Sequence, residues 1–249
     1  EELTRLYFNP VVFKFMNAYL MGINRALCKR SSTVLVNNSK LIPVVEELGA
    51  PEVDVMGTPL ALKLLRETPA PVPEKMKRVL FAGRLAPEKN VPLIVEAAKQ
   101  LPELEFVIVG DGPQRKKLAE ETASLANVRM TGWLDREGLC AEMDAASLLM
   151  LPSKHETFGT VALESMARGR PALVSEGAGI HDWAVLKEGL VLLPEGQSLE
   201  QALRDLQEWP AETWQAKSAA ARKAAESLNA STIDQWVDLL ERHTPKSES

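Results

Sequence analysis

Residues 79–109 read VLFAGRLAPEKNVPLIVEAAKQLPELEFVIV, and this stretch decides the fold. Val79-Leu80-Phe81-Ala82-Gly83 and Glu105-Phe106-Val107-Ile108-Val109 are short β-rich runs, and Val91 to Leu101 between them has a helical pattern. Strand, helix and strand in that order make a βαβ unit. Downstream the alternation repeats: a helix over Pro113 to Ala123, a strand over Val128 to Thr131 and a helix around Arg136 to Ala145. A strand Leu148 to Leu151, a helix around Phe158 to Arg168 and strands Ala172 to Val174 and Leu190 to Leu193 follow. Leu148-Leu149-Met150-Leu151 is apolar at every position, so both of its faces need cover, as in a parallel sheet between helix layers. The fold class expected is α/β, a doubly wound parallel sheet of Rossmann-like type. In such sheets ligands sit beyond the carboxyl ends of the strands, so the loops there should carry function.

Upstream, residues 1–70 read as a long helix, a strand Thr33 to Val36, a helix Ser39 to Leu48 and a turn at Gly57-Thr58-Pro59, too few strands for a sheet of their own. The Pro-rich stretch Thr68 to Pro73 reads as a linker. The segments expected are 1–70, the remainder of an amino-terminal domain; 71–230, the Rossmann-like domain; and 231–249, a carboxyl-terminal helix with a disordered tail from Thr244. Pro10 to Ile23 (PVVFKFMNAYLMGI) is too short to span a bilayer and is interrupted by Lys14 and Asn17. It reads as a buried amphipathic helix. With Arg25, Lys29 and Arg30 following, the second reading is peripheral contact with an anionic membrane surface. Near the carboxyl end, Trp209 and Trp214 are expected to pack rather than bind, as are the helical runs Leu203 to Leu206 and Ile233 to Leu240.

Across 249 residues, 29 Lys and Arg face 34 Asp and Glu for a net charge of -5, and the basic residues are scattered. No footprint for nucleic acid is present, and Arg115-Lys116-Lys117 reads as a solvated helix face. Cys28 and Cys140 have no partner at metal-ligand spacing and form no disulfide framework, which fits a reducing, cytoplasmic compartment. The opening Glu-Glu-Leu-Thr-Arg is neither an initiator Met nor a basic signal region, so the chain is expected to lack its natural start.

Three strand-end loops carry the chemistry. Gly83 to Asn90 (GRLAPEKN) presents Arg84 and Lys89, cations that on this loop alone would read as partners in a solvated ion pair with Glu88. Gly110-Asp111-Gly112-Pro113 reads as a tight turn that still lets backbone approach a ligand. A dinucleotide fingerprint would need glycine at Arg115 and an acidic residue where Thr131-Gly132-Trp133 stands, so hydride transfer is disfavoured. Trp133 reads as a core or rim residue, with flanking the base of a nucleotide as the second reading. In Pro152 to Glu164 (PSKHETFGTVALE), Glu156 and Glu164 bracket a strand-to-helix junction. A cap at Thr157 or a neighbour would aim the Phe158-Gly159-Thr160 amides at an anion. Helical rise over eight residues is about 12 Å, so the carboxylates could serve opposite ends of one extended ligand. His155 reads as exposed or hydrogen-bonded, not as a metal ligand.

Taken in order, Gly-Arg-Leu…Glu-Lys, Val-Gly-Asp-Gly-Pro, Pro-Ser…Glu-Thr-Phe-Gly and the Glu-x(7)-Glu spacing resemble the family-4 retaining glycosyltransferases of the GT-B fold, over about residues 31 to 240. The resemblance implies the donor-binding carboxyl-terminal half of such an enzyme with a truncated amino-terminal acceptor domain, residues 71–230 binding a nucleotide sugar. It implies transfer of a hexose-type sugar from a UDP- or GDP-sugar to a hydroxyl of a lipid, glycan or small molecule, without a cofactor. Under it Arg84 and Lys89 hold the diphosphate and Glu156 contacts the sugar hydroxyls, which makes these three the catalytic set. Gly83, Gly110, Phe158, Gly159 and Thr160 line the donor, and Glu164 contacts the ribose. No Asp-x-Asp pair is present to hold a divalent ion, so metal-independent transfer is expected. One departure stands after the next strand: Ser175 to Asp182 reads SEGAGIHD, with Asp182 where the family usually has Glu after a Gly-Gly pair. The alternative is a catalytically incomplete nucleotide-sugar-binding module; an epimerase or phosphorylase on a related scaffold ranks third.

Overall fold

The computed structural model describes residues 9–65 and 70–244, and the chain divides into two compact units, Glu1–Thr58 and Pro59–Ser249. The smaller holds α1 (Pro10–Arg30), β1 (Val34–Val36), α2 (Ile42–Glu47) and β2 (Val53–Val55). Asn9 caps α1 by accepting from the Val11 amide at 3.0 Å, Pro10 pre-sets the first turn, and Lys29 and Arg30 complement the dipole in the last. β1 and β2 pair in parallel, so this segment does hold a sheet. The sequence pattern conceals β2, which is three residues long with Asp54 at its centre. The helix expected over Pro10 to Ile23 forms, but not as a buried one. Phe13 and Cys28 are buried, whereas Phe15 is 76% and Tyr19 70% exposed. Two three-residue strands are too small to cover a 21-residue helix. Among the described residues no helix is long and apolar enough to cross a membrane.

The larger unit begins with β3 (Arg78–Ala82), α3 (Val91–Gln100), β4 (Glu105–Val109), α4 (Arg115–Thr122), β5 (Val128–Gly132) and α5 (Arg136–Ala145). It continues with β6 (Leu148–Leu151), α6 (Thr160–Ala167), β7 (Ala172–Ser175), β8 (Leu190–Leu193), α7 (Leu199–Gln207) and α8 (Ala211–His243). Its six strands form one parallel sheet in the order β5-β4-β3-β6-β7-β8. Because side chains alternate along a strand, each central strand feeds two cores. Leu80, Ala82, Val107, Val109, Leu149 and Leu151 enter one, under α5, α6 and α8; Val79, Phe81, Phe106, Ile108, Leu148 and Met150 enter the other, under α3, α4 and α7. Each fully buried Leu, Ile, Val or Phe contributes roughly 1.5–3 kcal/mol. α8 reaches both: Trp214 lies in the second core, and Ala221, Ala224, Ala225 and Leu228 lie in the first. The strand order reverses between β3 and β6, and a doubly wound sheet opens its ligand crevice at that switch point.

Two expected boundaries move. The compact units meet between Thr58 and Pro59, while Ala70 is buried in the larger unit and the nearly inaccessible Arg170 donates to the Pro71 carbonyl at 2.9 Å. A proline-rich strand of backbone keeps its carbonyl acceptors, and a buried guanidinium uses one. Thr68 and Pro69 lie outside the described residues, as do the five opening residues and 245–249 of the expected tail. At the other end α8 is one 33-residue helix running through the 230/231 boundary. Trp214 is buried and its ring lies 5.2 Å from that of Trp209, as packing residues should. Leu239 is buried too, but Ile233 and Leu240 are exposed.

Leu149 is fully buried on central strand β6. Leu149→Ala is expected to cost about 2–5 kcal/mol of unfolding free energy. Urea unfolding measures it, and a loss below about 1 kcal/mol would remove Leu149 from the core.

Candidate functional site

At the carboxyl ends of β3, β4 and β5 the backbone ladder continues into the loops. The Gly83 amide donates to Val109 O at 3.0 Å, Gly110 to Gly132 O at 2.8 Å, Leu85 to Asp111 O at 2.8 Å and Gln114 to Leu85 O at 2.9 Å. Gly110 has φ +135°, and a Cβ there would lie 1.9 Å from the Gly83 carbonyl oxygen. The tight turn expected at Gly110 is therefore a close approach of two loop backbones, which no side chain at this position would permit.

Beside this wall lies a cleft of about 510 Å³. Gly83, Arg84 and Gly110 line one side, Trp133 to Arg136 and Leu139 another, and Thr160, Val161 and Glu164 a third. The last three belong to α6, whose N-cap is Gly159 in the left-handed region (φ +99°) with no side-chain cap. Thr157 is thus not the cap. An added Cβ at Gly159 would approach Leu151 Cδ2 to 2.8 Å, so the helix start is pressed onto the end of β6. Its first amides have no intrahelical partners, and they carry the positive end of the dipole at the cleft.

Lys89 and Glu156, expected on separate loops, meet in an ion pair with both side chains largely buried. Backbone bonds brace the pair: Lys154 N to Glu88 O at 2.8 Å, Glu156 N to Gly177 O at 2.9 Å and Gly179 N to Glu156 O at 2.9 Å. In the following turn the His181 ring bridges Ala178 O at 2.7 Å and the Asp182 carboxylate at 3.1 Å. Lys89, Glu156, Phe158 and Gly159 do not line the cleft. Phe158 is 1% exposed and packs edge-on against Trp183, ring centroids 5.9 Å apart, so its ring belongs to the core and only its backbone is left to meet a ligand.

Glu164 does line the cleft. Its side chain is 15% exposed and faces the Arg136 guanidinium at 3.4 Å. Burial pushes its carboxyl above the usual carboxylate range, and the Arg136 charge and hydrogen bond pull against that rise without cancelling it. The sequence reading missed Arg136, although the strand-end rule applied to β5 leads to Asp135-Arg136. Trp133, 79% exposed, is a rim residue of the cleft. Arg115, Lys116 and Lys117 sit on the exposed face of α4. Among the described residues no group of three or more His, Cys, Asp or Glu is placed to hold a metal ion.

Comparison with known proteins places the chain in a family. Residues 67–226 match the model of the family described as glycosyl transferases group 1. The 2-deoxystreptamine N-acetyl-D-glucosaminyltransferase of Niallia circulans is 35% identical over 127 residues, 48% of this chain and 33% of that protein. The 2-deoxystreptamine glucosyltransferase of Streptomyces kanamyceticus is 30% identical over 214 residues, 77% of this chain and 54% of that protein. The chain therefore spans between a third and about half of the length of these relatives. Among solved structures, the sucrose-phosphate synthase of Thermosynechococcus elongatus superposes with a TM-score of 0.73 at 22% identity, covering 90% of this chain and 62% of that one. HepE of Anabaena, solved with UDP and glucose, superposes with a TM-score of 0.74 at 20% identity over 90% of this chain and 67% of that one. At these identities the superpositions establish the shared α/β fold.

An acid whose pKa rises on folding binds its proton more readily in the native state. It therefore costs stability at neutral pH, and the cost fades as pH falls below the unfolded carboxylate range. Glu164→Gln is accordingly expected to raise Tm near pH 7, with the gain vanishing in acid. Melting curves at several pH values measure it; a lower Tm at neutral pH would contradict the assignment.

Proposed function

The chain belongs to the group 1 glycosyl transferases, and we propose that its larger unit is the donor-binding half of a retaining enzyme that uses a nucleotide diphosphate sugar. The observation that carries this reading is the single cleft bounded by Arg84, the uncapped start of α6 and Glu164. A diphosphate suits the cation and the helix start, and a ribose suits the carboxylate. The nucleoside then extends toward Trp133. The sugar lies toward the Lys89–Glu156 pair, where Glu156 accepts from its hydroxyls and Lys89 shares the phosphate charge.

In the reaction the bond between the sugar's anomeric carbon and the diphosphate oxygen breaks while the acceptor oxygen bonds to the same carbon from the same face. The acceptor's proton passes to the departing phosphate. Negative charge grows on the leaving group, and Arg84, Lys89 and the α6 amides are fixed where it grows. Each charge-assisted bond contributes roughly 1.5–3 kcal/mol, which is how the site works without a divalent ion. The donor is a UDP- or GDP-hexose, and the acceptor a hydroxyl of a lipid, glycan or small molecule; two relatives named for 2-deoxystreptamine favour the last. A cytoplasmic setting with peripheral membrane contact suits α1, whose apolar residues lie exposed beside Lys14, Arg25, Lys29 and Arg30. The second reading, nucleotide-sugar binding without turnover, is favoured by the Lys89–Glu156 pair lying outside the lining of the cleft.

Calorimetry with UDP, GDP and their sugars tests the donor site. Arg84→Ala and Lys89→Ala are each expected to weaken nucleoside diphosphate binding about tenfold or more; Arg84→Ala should change the urea midpoint little, whereas Lys89→Ala, which leaves the largely buried Glu156 carboxylate without its base, should lower it. Unchanged affinity would remove these cations from the site. Mass analysis of products with an added acceptor separates turnover from binding.

A further inference from the structure

The proposed donor site leaves Arg136 without a role. It is the first residue of α5, directly after the N-cap Asp135, whose carboxylate accepts from the Gly138 amide at 2.8 Å. A cation in the first turn opposes the helix dipole, so the position is electrostatically poor for α5 itself. What it faces instead is Glu164, from the neighbouring wall of the cleft, at 3.4 Å. The two side chains differ sharply in environment: that of Arg136 is 52% exposed and that of Glu164 15%. A pair open to water on its cationic side only is one whose cation conditions the acid.

We propose that Arg136 is a positioning residue for the nucleoside end of the donor, acting through Glu164 by holding the carboxylate aimed across the cleft to accept from the ribose hydroxyls. The proposal rests on the reading of Glu164 as the ribose contact. A carboxylate that accepts two hydroxyl hydrogens must be ionised and held at one rotamer. Burial favours its protonated form, and Arg136 opposes that. Arg136 and Cys140 on α5 face Glu164, and Arg84 and Asp111 line the same cleft from the loops after β3 and β4. α6 has no other ionisable side chain, and β6 and β7 have none. α8 brings Ala221, Ala224, Ala225 and Leu228 to this core, and the turn Gly179–Asp182 brings His181 and Asp182, bonded to each other. Arg136 is thus the cation that meets Glu164 directly. It also borders a second recess of about 590 Å³.

The test is calorimetric titration of the full chain with UDP and GDP, and with their 2′,3′-dideoxy analogues, from pH 5.5 to 8. Arg136→Gln is expected to weaken binding of the nucleotide about threefold or more at pH 8, and further as the pH falls toward 5.5, because the unassisted Glu164 carboxyl takes its proton at higher pH than the assisted one. Arg136→Lys should restore most of the loss. The dideoxy analogue should bind Arg136→Gln and the unmodified chain alike, since it has no hydroxyls for Glu164 to receive. A defect that is independent of pH and equal for both nucleotides would overturn the proposal and make Arg136 a direct phosphate or packing contact. Glu164→Gln separates the underlying reading: if it binds UDP and GDP as the unmodified chain does, or if the unmodified chain binds neither, the ribose assignment itself falls.

Discussion

Two parallel strands that leave the middle of a sheet in opposite directions must part at their carboxyl ends, and everything functional here follows from that parting. β3 connects outward to β4 and β5, and the chain returns across the sheet to β6. The gap so made is neither filled by a crossover helix nor closed by a turn. On one side it receives the loops after β3, β4 and β5, locked flat by backbone bonds that extend the ladder past the last strand residue. On the other it receives the start of α6, set at its angle by the left-handed Gly159. Cations, helix amides and carboxylates converge because topology leaves them one place to be.

The electrostatics of that place are unusual for an empty cleft. Two acids each face one base from a different loop or helix: Glu164, whose burial disfavours its charge, meets Arg136 in the cleft, and Glu156 meets Lys89 beside it. Such pairs are weak sources of stability, because desolvation takes back most of the Coulomb gain. Their value lies in fixing rotamers. A ligand that supplies phosphate oxygens to the bases and hydroxyls to the acids exchanges partners with a site already arranged, and loses little to reorganisation.

Much of this was legible in the sequence, for reasons that can be named. The unbroken apolar runs Val79 to Ala82, Phe106 to Val109 and Leu148 to Leu151 demand a two-sided sheet, and two-sided parallel sheets place ligands at strand ends. That logic led to the loops of Arg84, Lys89, Glu156 and Glu164, of which Arg84 and Glu164 line the cleft. It misjudged Phe158, because a motif records that an aromatic ring is present but not which way the rotamer carries it, and this ring turns toward Trp183. It read Gly110 as a turn that lets backbone approach a ligand and did not show the contact with the Gly83 loop, since spacing along one chain says nothing of how near another loop comes. β2 escaped because three residues are too short to show a period. Arg136 escaped because an arginine at a helix start is ordinary until its neighbour across a cleft is known.

α8 has a consequence that belongs to synthesis rather than to the finished molecule. At 33 residues it is about 50 Å long, and it contributes Trp214 to one core and Ala221 to Leu228 to the other. α8 completes the first core and adds Trp214 to the second. A chain emerging amino terminus first therefore makes every strand of the six-stranded sheet, and the loops after β3 and β6, before this helix can close over them. The apolar residues that α8 covers stay bare until then, and its docking is the latch that ends that exposure.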